Sequence, residues 1–127
     1  MAPIGMPVLL DEEHDPADVE TMRVTSRLVL ELARPPSTGE LALLVAQLRG
    51  HLRVMVPEVE TIAARQSQSS DLAACLALAC AREARRKLTI PERTSPAGQL
   101  ALALRLARIL DALCNHYDAL DPDAGKR

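Results

Sequence analysis

Five side chains could in principle bind a metal or move a proton: His51, Glu58, Glu83, Cys114 and His116. A dinuclear metal site in a helical bundle requires Glu-x-x-His pairs that face inward from two helices, and the sequence contains no such pair. Cys114 and His116 are two positions apart, so on a helix they point about 160° away from each other. The sequence therefore predicts no metal, no cofactor and no catalytic residue, although an enzymatic role stays open.

A ligand pocket between the second, third and fourth predicted helices is a second possibility. Antiparallel helices would bring His51 close to the level of Glu83. The neighbouring Gly50 marks either a close helix approach or room for a ligand, and we favour the close approach. The simpler alternative is that Glu83 pairs with Lys87 one turn on, while His51 flanks the core. The candidate pocket residues are Gly50, His51, Glu58, Glu83 and Arg86.

Basic residues recur on the same three predicted helices and form a candidate surface for an anion or a partner. They are Arg49, Arg53, Arg82, Arg85, Arg105 and Arg108. No aromatic side chains are interleaved for base stacking, and no helix-turn-helix pattern is present, which argues against nucleic acid. A solvated face is the simplest interpretation. The alternative is that the acidic segment 11–20, with six carboxylates and no basic residue, lies on this surface, in cis or across a dimer.

The elements that must position these residues are predicted to be helices. The chain has 21 Leu and 20 Ala but no Phe and no Trp, so its core must consist of aliphatic side chains from good helix formers. Aliphatic residues recur every three to four positions in four stretches, separated by short links. The sequence therefore predicts an all-α fold, an antiparallel four-helix bundle with up-down-up-down topology.

Helix boundaries divide the chain into a flexible acidic arm (1–14), a bundle domain (15–121) and a frayed tail (122–127). Ser37 and Glu40 form a capping box for the second helix, and Ser69 or Ser70 is expected to cap the third. Pro57 lies inside the second apolar stripe, whose spacing continues in phase, so a kink, or two abutting helices, is expected there rather than a chain reversal. The stripe expected to be buried on the third helix is Leu72, Cys75, Leu76, Ala79 and Cys80.

The compartment is predicted from cysteines and apolar runs. Three cysteines fit a reducing cytosol better than a disulfide scaffold. The N-terminal residues lack the order of a signal peptide, and no apolar run approaches the ~18 residues that span a bilayer. A cytoplasmic protein without a membrane segment is expected.

Three blocks of the sequence resemble a known family. They are residues 48–60, with Leu48-Arg49-Gly50-His51-Leu52 and Val56-Pro57-Glu58-Val59-Glu60; residues 79–88, Ala-Cys-Ala-Arg-Glu-Ala-Arg-Arg-Lys-Leu; and residues 106–117, ending in Cys114-Asn115-His116-Tyr117. Over roughly residues 40–120 the chain resembles a family of small actinobacterial proteins of unknown function labelled natural product biosynthesis proteins. That resemblance implies a pathway context and brings no catalytic motif.

Two functions follow as expectations. The first is an accessory or regulatory protein that acts by protein–protein interaction, with a homodimer expected. The alternative is a small-molecule-binding protein or small enzyme of a biosynthetic pathway, which uses the pocket described above. A nucleic-acid binder is a third and less favoured option.

Overall fold

The computed structural model describes residues 16–66 and 71–120, and side chains from Val19 onward. These ranges contain four helices, α1 (Pro16–Leu30), α2 (Thr38–Gln66), α3 (Leu72–Leu88) and α4 (Pro96–Leu120), and no strand. The all-α prediction is confirmed. The predicted arm 1–14, the predicted tail 122–127 and residues 67–70, which precede α3, lie outside the described residues.

Local chemistry explains two of the helix starts. The predicted capping box is confirmed at α2, where the Ser37 backbone N–H donates to Glu40 Oε1 at 2.8 Å and the Glu40 N–H donates to Ser37 Oγ at 3.1 Å. At α3 the expected serine cap is wrong: Asp71 is the N-cap, and its carboxylate accepts from the Ala73 N–H at 2.9 Å. A carboxylate also interacts favourably with the positive end of the helix dipole, which a serine hydroxyl does less strongly.

Pro57 does not end α2. The helix runs as one element from Thr38 to Gln66 with the proline inside it, so the expected absence of a chain reversal is confirmed. Buried side chains continue in phase on both sides of Pro57, from Met55 and Val56 to Val59 and Ile62. The tertiary packing of this apolar stripe offsets the ~3 kcal/mol that an interior proline costs.

The four helices form an up-down-up-down bundle. α2 and α4 make the most extensive contact, α1 packs mainly on α4, and α3 packs on both α2 and α4. The α2 and α4 C-termini lie side by side, since the Gln66 amide donates to the Leu120 carbonyl at 2.9 Å. α1 and α3 thus flank a central α2–α4 pair on opposite sides, and α1 and α2 touch only lightly.

The core confirms the apolar stripes predicted for α1, α2 and α4. Val19, Met22 and Val29 of α1 are buried. The fully buried side chains of α2 and α4 are aliphatic at the expected spacing; they include Leu48, Leu52, Val56, Val59, Leu106, Leu110 and Leu113.

The stripe expected on α3 is wrong. Alanines at 74, 77, 81 and 84 form the buried face of this helix, while Leu72, Cys75, Leu76 and Ala79 are exposed. Cys80 is half-buried. Alanine lets α3 approach α2 and α4 closely, near the ~8 Å lower limit of helix separation. The larger side chains, which would hold the helices further apart, therefore point outward.

Candidate interaction surfaces

The residues of the predicted pocket are placed on different sides of the bundle. His51 is half-buried, and its Nε2 lies 3.3 Å from Thr25 Oγ1 on α1, so it faces the α1 side of α2. Gly50 is exposed, and a Cβ atom built on it would meet no atom within 4 Å. The close helix approach expected at Gly50 is therefore wrong. Glu58 is half-buried on α2.

Glu83 and Arg86 lie on α3 and bind each other. Glu83 Oε2 accepts from Lys87 Nζ at 2.8 Å, and its Oε1 accepts from Arg86 Nε at 3.1 Å. The predicted Glu83–Lys87 pair is confirmed. Hydrogen bonds from Lys87 and Arg86 lower the pKa of Glu83 to about 2, so the carboxylate is ionised at neutral pH. His51 thus contacts Thr25 of α1, whereas Glu83 contacts Arg86 and Lys87 of its own helix α3. The ligand pocket stays a prediction.

Two of the six predicted surface arginines bind the protein itself. Arg49 donates through both terminal nitrogens to the carbonyls of Leu88, at 2.9 Å, and Ile90, at 2.7 Å. It thereby satisfies acceptors at the C-terminal end of α3, which a helix leaves unpaired. Arg85 forms a bidentate pair with Glu60 at 2.6–2.7 Å, which lowers the pKa of Glu60. These two arginines hold α3 on α2.

The other four arginines of the set are exposed: Arg53, Arg82, Arg105 and Arg108. They lie on α2, α3 and α4. A surface for an anion or a partner at these positions stays a prediction.

A row of polar contacts between α1 and α4 was not predicted from the sequence. Arg23 donates to Asn115 Oδ1 at 2.9 Å and also binds Asp118, and Arg27 Nε lies 3.5 Å from Asp111 Oδ1. The sequence does contain a signal for these contacts: two arginines four positions apart on α1 match polar acceptors four and seven positions apart on α4. This row aligns the two helices antiparallel.

Within the part of the chain that the structure describes, the outer face of α3 is the first of two exposed apolar surfaces considered as interaction sites. Leu72 is 71% exposed and Leu76 is 53% exposed. With Cys75 and Ala79 they occupy positions i, i+3, i+4 and i+7, which form one stripe along a helix. Exposed single leucines are ordinary, but a contiguous stripe opposite an alanine face is typical of a helix that packs on both sides.

The second apolar surface is a groove between the C-terminal end of α1 and the start of α2. Its volume is about 550 Å³. Leu28 is 51% exposed and Leu43 is 61% exposed. The groove exists because α1 leans on α4 and touches α2 only lightly. Its apolar lining residues are Leu28, Leu32, Pro35, Pro36, Leu43 and Leu44, and Arg34 and Glu40 also line it.

Two kinds of site were searched for in residues 16–66 and 71–120. No helix there combines the length and hydropathy needed to cross a membrane. No three His, Cys, Asp or Glu side chains there group as metal ligands would.

Comparisons place the chain in a family. Comparison with curated proteins and with solved structures finds no match. Residues 20–122 match a family of unknown function, DUF6415, and since this match covers all four helices except the first residues of α1, the chain belongs to that family.

Proposed function

We propose that the chain is a small accessory or regulatory protein that acts by protein–protein interaction, and that it forms a homodimer through the outer face of α3. The observation that carries this proposal is the orientation of α3, which buries four alanines and leaves Leu72 and Leu76 in water. Complete burial of a leucine contributes roughly 1.5–3 kcal/mol, and a partner that covers the exposed part of Leu72 and Leu76 gains the corresponding share of it. A two-fold dimer covers both leucines in both copies.

A second copy fits this face because the face is complementary to itself. Asp71 and Arg82 are eleven residues apart, about three helical turns, so they share one flank of α3. If two α3 helices pack antiparallel about a two-fold axis, Asp71 of each copy faces Arg82 of the other. The dipoles of the two α3 helices are then antiparallel, which is their favourable arrangement side by side. The axis passes near position 76, which puts Leu76 of one copy against Leu76 and Ala79 of the other.

The mass of the protein in solution tests this arrangement. We expect light scattering after size exclusion to give about twice the 13.8 kDa of one chain. The double variant Leu72→Ser/Leu76→Ser should elute at the mass of one chain, with an unchanged far-UV circular dichroism spectrum. Val54→Ser is the matched control, because Val54 is a similarly exposed aliphatic residue, at 45%, on α2 rather than on α3, and it should remain dimeric.

Cys75 provides an independent measurement inside the same face. It is an exposed thiol in the isolated chain, whereas Cys114 is buried and burial raises the pKa of Cys114 to about 11. Alkylation of Cys75 should slow as the protein concentration rises, while Cys114 stays unreactive throughout. A wild-type chain with the mass of a monomer at all concentrations, and with Cys75 equally reactive throughout, would contradict the dimer.

The pathway context is a further part of the proposal. The resemblance of three sequence blocks to actinobacterial natural product biosynthesis proteins supports an accessory role beside biosynthetic enzymes. Free thiols at Cys75, Cys80 and Cys114 support a location in the reducing cytoplasm. If the role is correct, the dimer captured from its native host should carry a biosynthetic enzyme, and the monomeric variant should lose it.

A further inference from the structure

A small hollow lies beside the first turns of α4, where the link 89–95 packs on this helix. Its volume is about 110 Å³. Four of its lining residues recur at the spacing of one helix face on α4, and two belong to the link. They are Gly98, Ala101, Leu102, Arg105, Ile90 and Arg93. The hollow thus combines an apolar lining with two guanidinium groups.

The two arginines of the hollow carry charges that no carboxylate offsets within the described residues. In residues 16–66 and 71–120, the guanidinium groups of Arg93 and Arg105 form no hydrogen bond and no ion pair. Arg49 donates at 2.7 Å to the carbonyl of Ile90, which lines the hollow. A third guanidinium group, bound to carbonyl oxygens, therefore lies near the same hollow. This excess of positive charge favours an anion there.

The backbone of the link is fixed on α4, which places Arg93 before a ligand arrives. The Arg93 N–H donates to Gln99 Oε1 at 3.0 Å, and Gln99 is buried. Gln99 Nε2 in turn donates to Glu92 Oε1 at 3.3 Å, which engages the carboxylate next to Arg93 in the sequence. A Cβ atom built on Gly98 would lie 3.0 Å from Arg93 Cβ, so the glycine leaves room for the Arg93 side chain on the first turn of α4. A preformed site loses less entropy on binding.

We propose that this hollow binds a phosphate group, as the free ion or as the end of a small phosphate monoester. The guanidinium fork matches phosphate oxygens with paired hydrogen bonds, and Arg93 and Arg105 supply two such forks. The hollow is well below the ~300–1,000 Å³ of pockets for drug-sized ligands, so it suits a group of this size. The start of α4 does not supply the site, because the Gly98 N–H already donates to Ser95 Oγ at 3.0 Å.

An NMR titration of the ¹⁵N-labelled full chain at low ionic strength tests the proposal. Inorganic phosphate and n-butyl phosphate are the two probes, and sodium chloride at the same ionic strength is the reference. We expect saturable shifts of the Arg93 and Arg105 Nε–H signals with both probes and none with chloride. Butyl phosphate should bind about fourfold more tightly than the free ion, the effect of one CH₂ group that is buried on the apolar lining.

Substitutions inside and outside the hollow supply the controls. Arg93→Gln and Arg105→Gln should each weaken the binding of both probes about tenfold, because each removes hydrogen bonds from a charged donor. Arg53→Gln and Arg108→Gln change equally exposed arginines that do not line the hollow, and they should leave the affinity unchanged.

The monomeric variant Leu72→Ser/Leu76→Ser should bind phosphate as the wild-type chain does, because the residues that line the hollow lie outside α3. Failure of the dimer and failure of this site are therefore distinguishable. Shifts that rise linearly with phosphate and never saturate overturn the proposal. An equal loss of affinity in the Arg53 and Arg108 variants also overturns it, because phosphate would then sense only the overall charge.

Discussion

Ala81→Leu tests the orientation of α3 directly. Ala81 is fully buried on a helix that packs on both α2 and α4, so three added carbon atoms must push helices apart. Overpacking a core costs 1–3 kcal/mol and occasionally more. We expect the upper end of that range, about 3 kcal/mol of unfolding free energy, because both neighbouring helices must move.

Ala79→Leu is the matched control, two residues away and exposed. It should change the unfolding free energy by less than ~0.5 kcal/mol, as surface substitutions usually do. Urea unfolding followed by far-UV circular dichroism, in protein dilute enough to exclude association, measures both. For a chain of this size the Ala81 variant should also lose about 10 °C in Tm. A larger loss for Ala79→Leu than for Ala81→Leu would show that α3 is turned the other way.

Two further predictions concern charged groups. Arg49→Met should lower the free energy of unfolding in urea by about 2 kcal/mol, because two charge-assisted hydrogen bonds to the end of α3 are lost. Arg53→Met, at an exposed position of the same helix, should leave it nearly unchanged. Equal losses in the two variants would contradict the role of Arg49 at the end of α3. In an NMR titration, the Glu83 carboxyl should have its midpoint near pH 2. Because its folded pKa is lowered, its stabilising effect should be complete above the unfolded pKa of about 4.3 and disappear as pH falls toward 2; a midpoint near 4.3 would contradict the pairing with Lys87.

The spacing of aliphatic residues predicted which face is buried on α1, α2 and α4. It failed on α3 for a physical reason. On α1, α2 and α4 one stripe of large aliphatic residues is available, so burial follows size. α3 carries two stripes at helical spacing, one with Leu72 and Leu76 and one of alanines. Transfer free energy favours burying leucine, whereas close packing between two long helices favours alanine. A single sequence contains no measure of the helix separation that decides between them.

The candidate pocket shows what positions along a helix leave undecided. Counting residues from the turns predicted the level of His51, but not the direction in which it points. Arg49 reaches α3, whereas His51, two residues on and about 160° around the helix, contacts Thr25 of α1. The packing of α2 against α1 and α3 at the same time decides that direction. The role of Arg49 at the end of α3 was hidden for the same reason, because its acceptors belong to another helix.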